Sequence, residues 1–192
     1  MQLPSSGKLV IISGPSGAGK TSVVRQLLAT SALPLVLNVS ATTRPSRDGE
    51  RDGMDYHFLT EREFQEKREA GEFLECFEVF GQGHWYGTLR DDVSASLAQG
   101  KWVILEIDVE GMRQVIKHHP DAVTIFVRPT DLDELENRLR GRGTESEGRI
   151  QRRLEVARQE LQSADQYQYQ VVNRVLADAV ADIERLLANI GG

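Results

Sequence analysis

The sequence is nearly without cysteine and has no long apolar run. Cys76 is the single cysteine among 192 residues, so a disulfide within the chain and a cysteine-based metal cluster are both excluded. The apolar run at residues 9–12 is far too short for a secretion signal or a membrane span. We therefore expect a reducing compartment, the cytoplasm by default, and no membrane partner.

The sequence also lacks an excess of positive charge. Lysine and arginine number 23 against 29 aspartates and glutamates, which gives a formal net charge of -6. Proteins that bind nucleic acid generally present a basic field, so we expect no nucleic-acid partner. Any anion site must come from locally clustered arginines. The composition does not indicate an oligomeric state.

Short apolar runs alternate with helical patterns along most of the chain. Residues 9–12 are apolar at every position, which is typical of a strand buried on both faces of a parallel sheet. The alternation predicts an α/β fold, with a five-stranded parallel sheet flanked by helices. We expect strands at residues 9–12, 35–39, 102–107, 122–127 and 169–172, and helices at 20–30, 89–99, 109–118, 131–140, 149–165 and 178–188.

Two segments interrupt this alternation. Residues 40–86 contain a turn-rich arginine stretch, short strands and one helix, for which Thr60 and Glu63 form a capping-box pattern. Three glycines among polar residues at 141–148 are typical of a mobile loop such as a lid. We therefore predict a core of residues 1–39, 89–139 and 154–192, an inserted subdomain of residues 40–88, and a short lid of residues 140–153.

The stretch GPSGAGKT follows the first predicted strand and opens the first predicted helix, and it matches the G-x-x-x-x-G-K-[ST] pattern. Glycines let backbone amides turn toward phosphate oxygens, and the helix N-terminus adds favourable partial charge. A glycine-rich turn without a ligand is the alternative, but the agreement of strand, loop and helix favours a nucleoside triphosphate site. The loop consists of Gly14, Pro15, Ser16, Gly17, Ala18, Gly19, Lys20 and Thr21, where Lys20 is predicted to contact the β- and γ-phosphates and Thr21 to bind Mg²⁺.

The stretch SATTRPSRDGERDGMDYHF brings several anion-binding side chains together. Arg44 and Arg47 can each make forked contacts to a phosphate, and the Tyr56 hydroxyl can add a donor. A solvated charged loop has the same composition. These residues alone do not decide between the two interpretations.

The stretch GEFLECFEVF places carboxylates among apolar residues. Strict alternation along a strand puts Glu75 on the more apolar face, with Phe73, Phe77 and Val79, and puts Glu72 and Glu78 on the more polar face. A buried carboxylate is costly unless it meets a cation or hydrogen-bond donors. The partner of Glu75 is then either another residue, such as an arginine, or a ligand.

Together these stretches resemble the guanylate kinase family over about residues 9–187. The resemblance implies a P-loop kinase fold and transfer of a phosphoryl group from MgATP to GMP, and by extension dGMP, with GMP held by the inserted subdomain. The stretches that carry it, in order, are GPSGAGKT, SATTRPSRDGE, GMDYHFL, GEFLECFEVF, WYGT, LEIDVEG, LRGRGT and RRL.

The resemblance also assigns roles to individual residues. Glu75 faces guanine, whose N1–H and N2–H₂ donors match the two oxygens of a carboxylate, whereas adenine offers no such pair of donors. The predicted GMP site is Ser40, Arg44, Arg47, Tyr56 and Tyr86 around the phosphate, and Glu75, Thr88 and Asp108 around the base.

Six arginines lie within residues 138–153, around the glycine-rich loop, and such clustering is costly without anions nearby. Arginines that swing in on closure would stabilise the negative charge of the transferring phosphoryl group. By resemblance we assign this role to Arg138, Arg142 and Arg153. The resemblance also implies that Arg138 and Arg142 bind ATP, with Asn173 on its adenine side. We expect Arg140, Arg149 and Arg152 to be solvated or paired. The predicted catalytic set is Lys20, Arg44, Arg142 and Arg153.

The sequence departs from the family pattern at three places. The stretch FGQGHWYGT is two residues longer than usual and has Trp85 in place of a tyrosine, although Tyr86 is retained. At the position of Glu110 the family usually has glutamine, and at the position of Arg174 it usually has aspartate.

Two alternative functions are also considered. One is a non-catalytic binding module of the same fold, which typically lacks an intact phosphate loop. The other is a kinase of the same fold for a different phosphorylated acceptor, which a base-facing Glu75 disfavours.

Overall fold

The structure, a computed structural model, describes residues 7–78, 83–140 and 147–191. Its strands are β1 (Leu9–Ser13), β2 (Leu35–Leu37), β3 (Ala41–Thr42), β4 (His57–Phe58), β5 (Phe73–Glu78), β6 (Trp85–Leu89), β7 (Trp102–Glu106), β8 (Val123–Arg128) and β9 (Tyr169–Val172). Its helices are α1 (Lys20–Thr30), α2 (Glu61–Glu69), α3 (Arg90–Ala98), α4 (Val109–Val115), α5 (Leu132–Arg140), α6 (Glu147–Gln162) and α7 (Leu176–Gly191), with a 3₁₀ turn at Ala164–Gln166.

A five-stranded sheet in the order β2-β7-β1-β8-β9 forms the core, and every neighbouring pair in it is parallel. Strand β1 lies at its centre and is buried at every position. Val10 and Ile12 pack with α1 and α7 on one face, whereas Leu9 and Ile11 pack with α3 and α4 on the other. Burial on both faces explains why this strand is apolar throughout, and the predicted fold class is confirmed.

A second sheet, in the order β4-β3-β6-β5, is inserted between β2 and α3. It has a small apolar core of its own, in which the rings of Phe64 and Phe73 stack with centroids 4.4 Å apart. Its strands lie within residues 41–89, close to the subdomain predicted at 40–88. Helix α6 already begins at Glu147, so the last part of the predicted lid is helical.

The strict alternation predicted for β5 is wrong at its first residues. The register against β6 shifts between Phe73 and Glu75. Phe73 therefore packs in the small core beside Cys76, while Leu74 packs in the core of the main sheet. A bulge of this kind adds a residue on one strand and re-aims the side chains that follow it. The predicted burial of Glu75 is nevertheless correct, and Glu72 and Glu78 are exposed as expected.

Helix α2 begins with the predicted capping box. The Thr60 hydroxyl accepts from the Glu63 backbone amide at 3.2 Å, and the Glu63 carboxylate accepts from the Thr60 amide at 2.8 Å. Two amides of the first turn, which have no partner within the helix, are thereby satisfied.

We expect Thr60→Ala to lower the free energy of unfolding by about 1 kcal/mol, because it removes one side of this box. Urea denaturation monitored by circular dichroism measures the change. Arg62→Ala is the matched control, since its side chain is 87% exposed and its pair with Glu66 is a surface pair. An equal effect of the two substitutions would contradict the capping argument.

No helix within the described ranges is long and apolar enough to cross a membrane.

Candidate active site

The glycine-rich loop joins β1 to α1 at the carboxyl edge of the main sheet. Gly14 has a φ of 147°, and a Cβ at this position would lie 1.9 Å from the Val127 carbonyl oxygen. Gly19 has a φ of 86° and precedes the first residue of α1. Only glycine fits this backbone path, which leaves the amides of the loop and the helix N-terminus arranged for an anion.

Lys20 folds back onto this loop. Its ammonium donates to the carbonyl oxygens of Gly14 at 2.6 Å and Pro15 at 3.2 Å. Burial lowers the pKa of Lys20, while the nearby carboxylates of Glu106, Glu160 and Asp108 raise it. The cation is thus held at the loop by weak carbonyl acceptors, which the more negative phosphates of a nucleotide can replace.

Thr21 lies beside an acidic residue from the neighbouring strand. Its hydroxyl donates to Glu106 Oε1 at 2.7 Å. Hydroxyl and carboxylate oxygens are ligands that Mg²⁺ prefers, usually together with water and substrate phosphates. This pair fits the predicted role of Thr21 in metal binding, which stays a prediction, and makes Glu106 a second candidate ligand.

Arg138 and Asn173 meet at the same loop. Arg138 donates to the carbonyl oxygens of Ala18 at 3.3 Å and Asn173 at 2.6 Å. The Asn173 amide donates to Ala18 at 2.8 Å and is buried. These contacts place both residues at the loop, and their predicted role beside a nucleotide stays a prediction. They also tie α5 and the end of β9 to the loop.

Arg153 on α6 donates a hydrogen bond to the Ser16 hydroxyl, which places it at the phosphate loop, and its predicted catalytic role stays a prediction. Arg140 pairs with Glu136 and Glu147, in line with its predicted role as a paired arginine. The predicted catalytic residue Arg142 lies outside the described residues, as does the side chain of Arg149.

Three of the predicted acceptor-phosphate residues, Arg44, Tyr56 and Tyr86, lie together at the inserted sheet. Arg44 Nε donates to the Tyr86 hydroxyl at 3.2 Å, and its guanidinium lies over the Tyr56 ring at 5.4 Å from the centroid. Glu50 accepts from Arg44 Nη2 at 2.8 Å and from the Arg47 backbone amide at 2.8 Å. Glu50 was not among the residues predicted from the sequence, and its spacing of six residues from Arg44 gives no signal of an ion pair. Ser40 lies four residues before Arg44 on the same segment, and the Arg47 side chain is exposed.

Glu75 is 2% exposed. Its Oε1 accepts from the Thr88 hydroxyl at 2.6 Å, while its Oε2 has no hydrogen-bond partner among the described residues. Burial raises the pKa of Glu75 to about 7, the Thr88 hydrogen bond opposes this, and the charge of Asp108 adds to it. The carboxylate is held by one protein donor, which leaves Oε2 and a second lone pair on Oε1 as acceptors for a ligand.

Asp108 follows β7 at the carboxyl edge of the main sheet. Its Oδ1 accepts from the Gly111 amide at 2.8 Å and caps α4. A Cβ placed on Gly111 would lie 3.2 Å from Glu75 Oε2 and 3.4 Å from Asp108 Oδ1. The two carboxylates therefore lie close to each other across Gly111, where the inserted sheet meets the main one. Burial also raises the pKa of Asp108, whereas the hydrogen bond from the Gly111 amide lowers it.

We expect Glu75→Gln to stabilise the protein without substrate at pH 8 but not at pH 5. The pKa of Glu75 rises from 4.5 to about 7 on folding, so the folded state favours the protonated form. The stability that this provides is fully present below pH 4.5 and is lost as the pH rises through 7. The loss is at most about 3 kcal/mol, and glutamine avoids it because it does not ionise.

Thermal unfolding of both proteins from pH 5 to pH 8 tests this expectation. The Tm advantage of the variant should grow with pH, whereas Glu72→Gln on the exposed end of the same segment should show no such trend. A constant difference across the range would contradict the linkage.

A phosphate loop with a second, carboxylate-lined site beside it is the arrangement by which a P-loop kinase holds donor and acceptor together. Comparison with known proteins narrows this class. The family model described as guanylate kinase matches residues 6–190. This chain belongs to the guanylate kinase family, and the enzyme class predicted from its motifs, nucleoside monophosphate kinase, is confirmed.

Individual relatives agree with this assignment. A guanylate kinase of Rhodopirellula baltica is 53% identical over 182 residues, which cover 94% of this chain and 87% of the relative. One of Thermotoga maritima is 47% identical over 174 residues, covering 91% and 83%. The crystal structure of guanylate kinase from Anaplasma phagocytophilum superimposes with a TM-score of 0.78 at 29% identity, over 98% of this chain and 88% of that one.

Proposed function

We propose that this protein transfers the γ-phosphoryl group of MgATP to GMP, and also to dGMP, through the residues described above. The assignment of GMP as the acceptor rests on Glu75. This carboxylate is buried, with one oxygen bonded to Thr88 and the other without a partner among the described residues. Guanine supplies two adjacent donors to such a group, and adenine does not. AMP would leave the carboxylate buried and unpaired, a situation that proteins use for strong discrimination.

The acceptor phosphate is assigned to the cluster on the inserted sheet. Arg44, held by Glu50 and Tyr86, presents a guanidinium whose orientation is already fixed. Such preorganisation reduces the entropy lost on binding and is typical of phosphate sites. Ser40, Arg47, Tyr56 and Tyr86 are proposed to complete this part of the site.

ATP is assigned to the phosphate loop. The loop amides and Lys20 hold the β- and γ-phosphates, and Arg138 and Asn173 lie on the adenine side. Mg²⁺, held by Thr21 with Glu106 close by, would neutralise phosphate charge there. Arg142 and Arg153 are proposed to stabilise the charge of the transferring group from the lid side.

The reaction follows from this placement. An oxygen of the GMP phosphate attacks the γ-phosphorus, and the bond from that phosphorus to the β–γ bridging oxygen breaks, which leaves ADP and GDP. The attacking oxygen is already anionic, so no general base is required. Catalysis then consists of alignment and charge stabilisation, and closure of the lid excludes water that would otherwise hydrolyse ATP. We place this activity in the cytoplasm, consistent with the single cysteine.

Release of ADP with MgATP and a panel of acceptors tests the proposal: GMP, dGMP, AMP, CMP, UMP and none. Turnover with GMP and dGMP, with little from AMP, is expected. No turnover with any acceptor despite ATP binding would favour a non-catalytic binding module, which the intact phosphate loop argues against.

A further inference from the structure

Helix α4 contacts strand β5 at two consecutive residues of the strand. Gly111 lies against Glu75, since a Cβ placed on this glycine would be 3.2 Å from Glu75 Oε2. Gln114 follows one turn later on the same side of the helix and bonds to Cys76. Leu74, the residue before Glu75, packs in the main core with residues of α4. Glu75 thus lies between two residues that are attached to this helix.

The contact of Gln114 is a reciprocal pair of hydrogen bonds. Its Oε1 accepts from the Cys76 backbone amide, and its Nε2 donates to the Cys76 carbonyl oxygen, each at 3.4 Å. A glutamine side chain carries one carbonyl and one amino group, so it can bond to both backbone groups of a strand residue, as a neighbouring strand would. Each bond is long, but the pair fixes the position of the strand along the helix as well as its distance.

Strand β5 offers these backbone groups because it is an edge strand. In the inserted sheet, with the order β4-β3-β6-β5, it pairs with β6 alone among the described strands. The backbone groups on the outer side of an edge strand need partners of another kind. Gln114 supplies one such partner, directly after Glu75 in sequence.

The same helix connects the two carboxylates of the proposed guanine site. Asp108 is the N-cap of α4, and Glu75 precedes the residue that Gln114 holds. The helix therefore carries Asp108 at its start and holds the strand of Glu75 one and two turns later. Since the two carboxylates come from different sheets, their separation is set by how β5 is seated on α4.

We propose that Gln114 is a positioning residue, which holds β5 on α4 so that Glu75 and Asp108 face one guanine base together. The proposal rests on the function proposed above. The amide group of Gln114 is bonded to the strand, so it acts through Glu75 rather than on the substrate.

Methionine separates the hydrogen bonds of Gln114 from its packing. Gln114→Met keeps the length and the helical preference of the side chain but can bond to neither backbone group of Cys76. We expect KM for GMP to rise about tenfold, because small misplacements of binding groups are costly. We expect kcat and KM for ATP to stay within about twofold, because the phosphate loop is unchanged. Gln65→Met is the matched control, since Gln65 is exposed on α2 and bonds only to Glu69 among its described hydrogen bonds.

Inosine monophosphate gives a readout that is specific to the base. It keeps the N1–H of guanine but has no amino group at C2, so it offers one of the two donors. The preference in kcat/KM for GMP over inosine monophosphate should fall about threefold or more in Gln114→Met, since the amino group contributes fully only when both carboxylates are in place.

Steady-state kinetics with each acceptor varied at saturating MgATP, together with thermal unfolding, test the proposal. An unchanged KM for GMP in Gln114→Met overturns it. An unchanged preference for GMP accompanied by a lower Tm also overturns it, since that combination marks a residue that only supports the fold.

Hydrogen exchange of the free protein gives a readout that does not depend on turnover. Peptides covering Cys76 should exchange faster in Gln114→Met than in the parent protein, and Gln65→Met should leave them unchanged. Failure of GMP turnover in the parent protein would overturn the proposed function, whereas equal exchange in all three proteins would overturn the link between Gln114 and β5.

Discussion

Replacing Glu75 with alanine is expected to lower kcat/KM for GMP by roughly 10³-fold and to leave ATP binding nearly unchanged. A hydrogen bond to a charged group contributes about 1.5–3 kcal/mol, and the substitution removes two of them from guanine. The loss falls on the acceptor alone, because Glu75 lies at the inserted sheet and the nucleotide loop lies on the main one. Steady-state kinetics with GMP varied, and calorimetric binding of ATP, measure the two effects separately.

The Tm of the variant separates a loss of fold from a loss of base recognition. Alanine removes the buried Oε2, which has no partner among the described residues, but it also removes the acceptor of the buried Thr88 hydroxyl. Glu72→Ala is the matched control, since this carboxylate is exposed and pairs with Lys67. If GMP and AMP turnover fall in parallel in Glu75→Ala, Glu75 does not distinguish the two bases. An unchanged kcat/KM for GMP would also show that Glu75 does not recognise guanine.

The main sheet could be predicted almost completely from the sequence, because its signals are local. A strand apolar at every position, followed by a glycine-rich loop and a helical pattern, specifies β1 and α1 without knowledge of the rest. The start of β5 could not be predicted in this way. The bulge after Phe73 depends on how the strand pairs with β6, and an alternation rule applied to one strand contains no information about its partner.

The candidate site also has a part that local sequence signals predict and a part that depends on the folded chain. Its residue types follow from motifs, and the structure brings Arg44, Tyr56 and Tyr86 together and sets Glu75 beside Thr88. Glu50 was given no role, for a physical reason. A carboxylate that orients an arginine contributes through its neighbours, and those neighbours are known only once the chain is folded.

Lys20→Met is expected to lower kcat by roughly 10³-fold while the affinity for GMP changes little. The developing charge on the transferring phosphoryl group is stabilised by fixed cations, and single groups of this kind contribute about 10²–10³-fold or more in related chemistry. Methionine keeps the approximate length of the side chain without its charge. The loop itself should persist, because its path is set by Gly14 and Gly19 and by the contacts of Asn173 to Ala18.

The structure adds a reason for expecting a loss in rate rather than a loss of fold. The Lys20 ammonium is largely desolvated and bonds only to the carbonyl oxygens of Gly14 and Pro15 among its described hydrogen bonds, so its burial is costly without a nucleotide. Single-turnover kinetics at saturating MgATP and GMP isolate the transfer step, and Lys117→Met, an exposed lysine beyond α4, is the matched control. Retention of kcat within tenfold in Lys20→Met would mean that the loop amides and lid arginines alone stabilise the transferring group, and the assignment of Lys20 to catalysis would then be wrong.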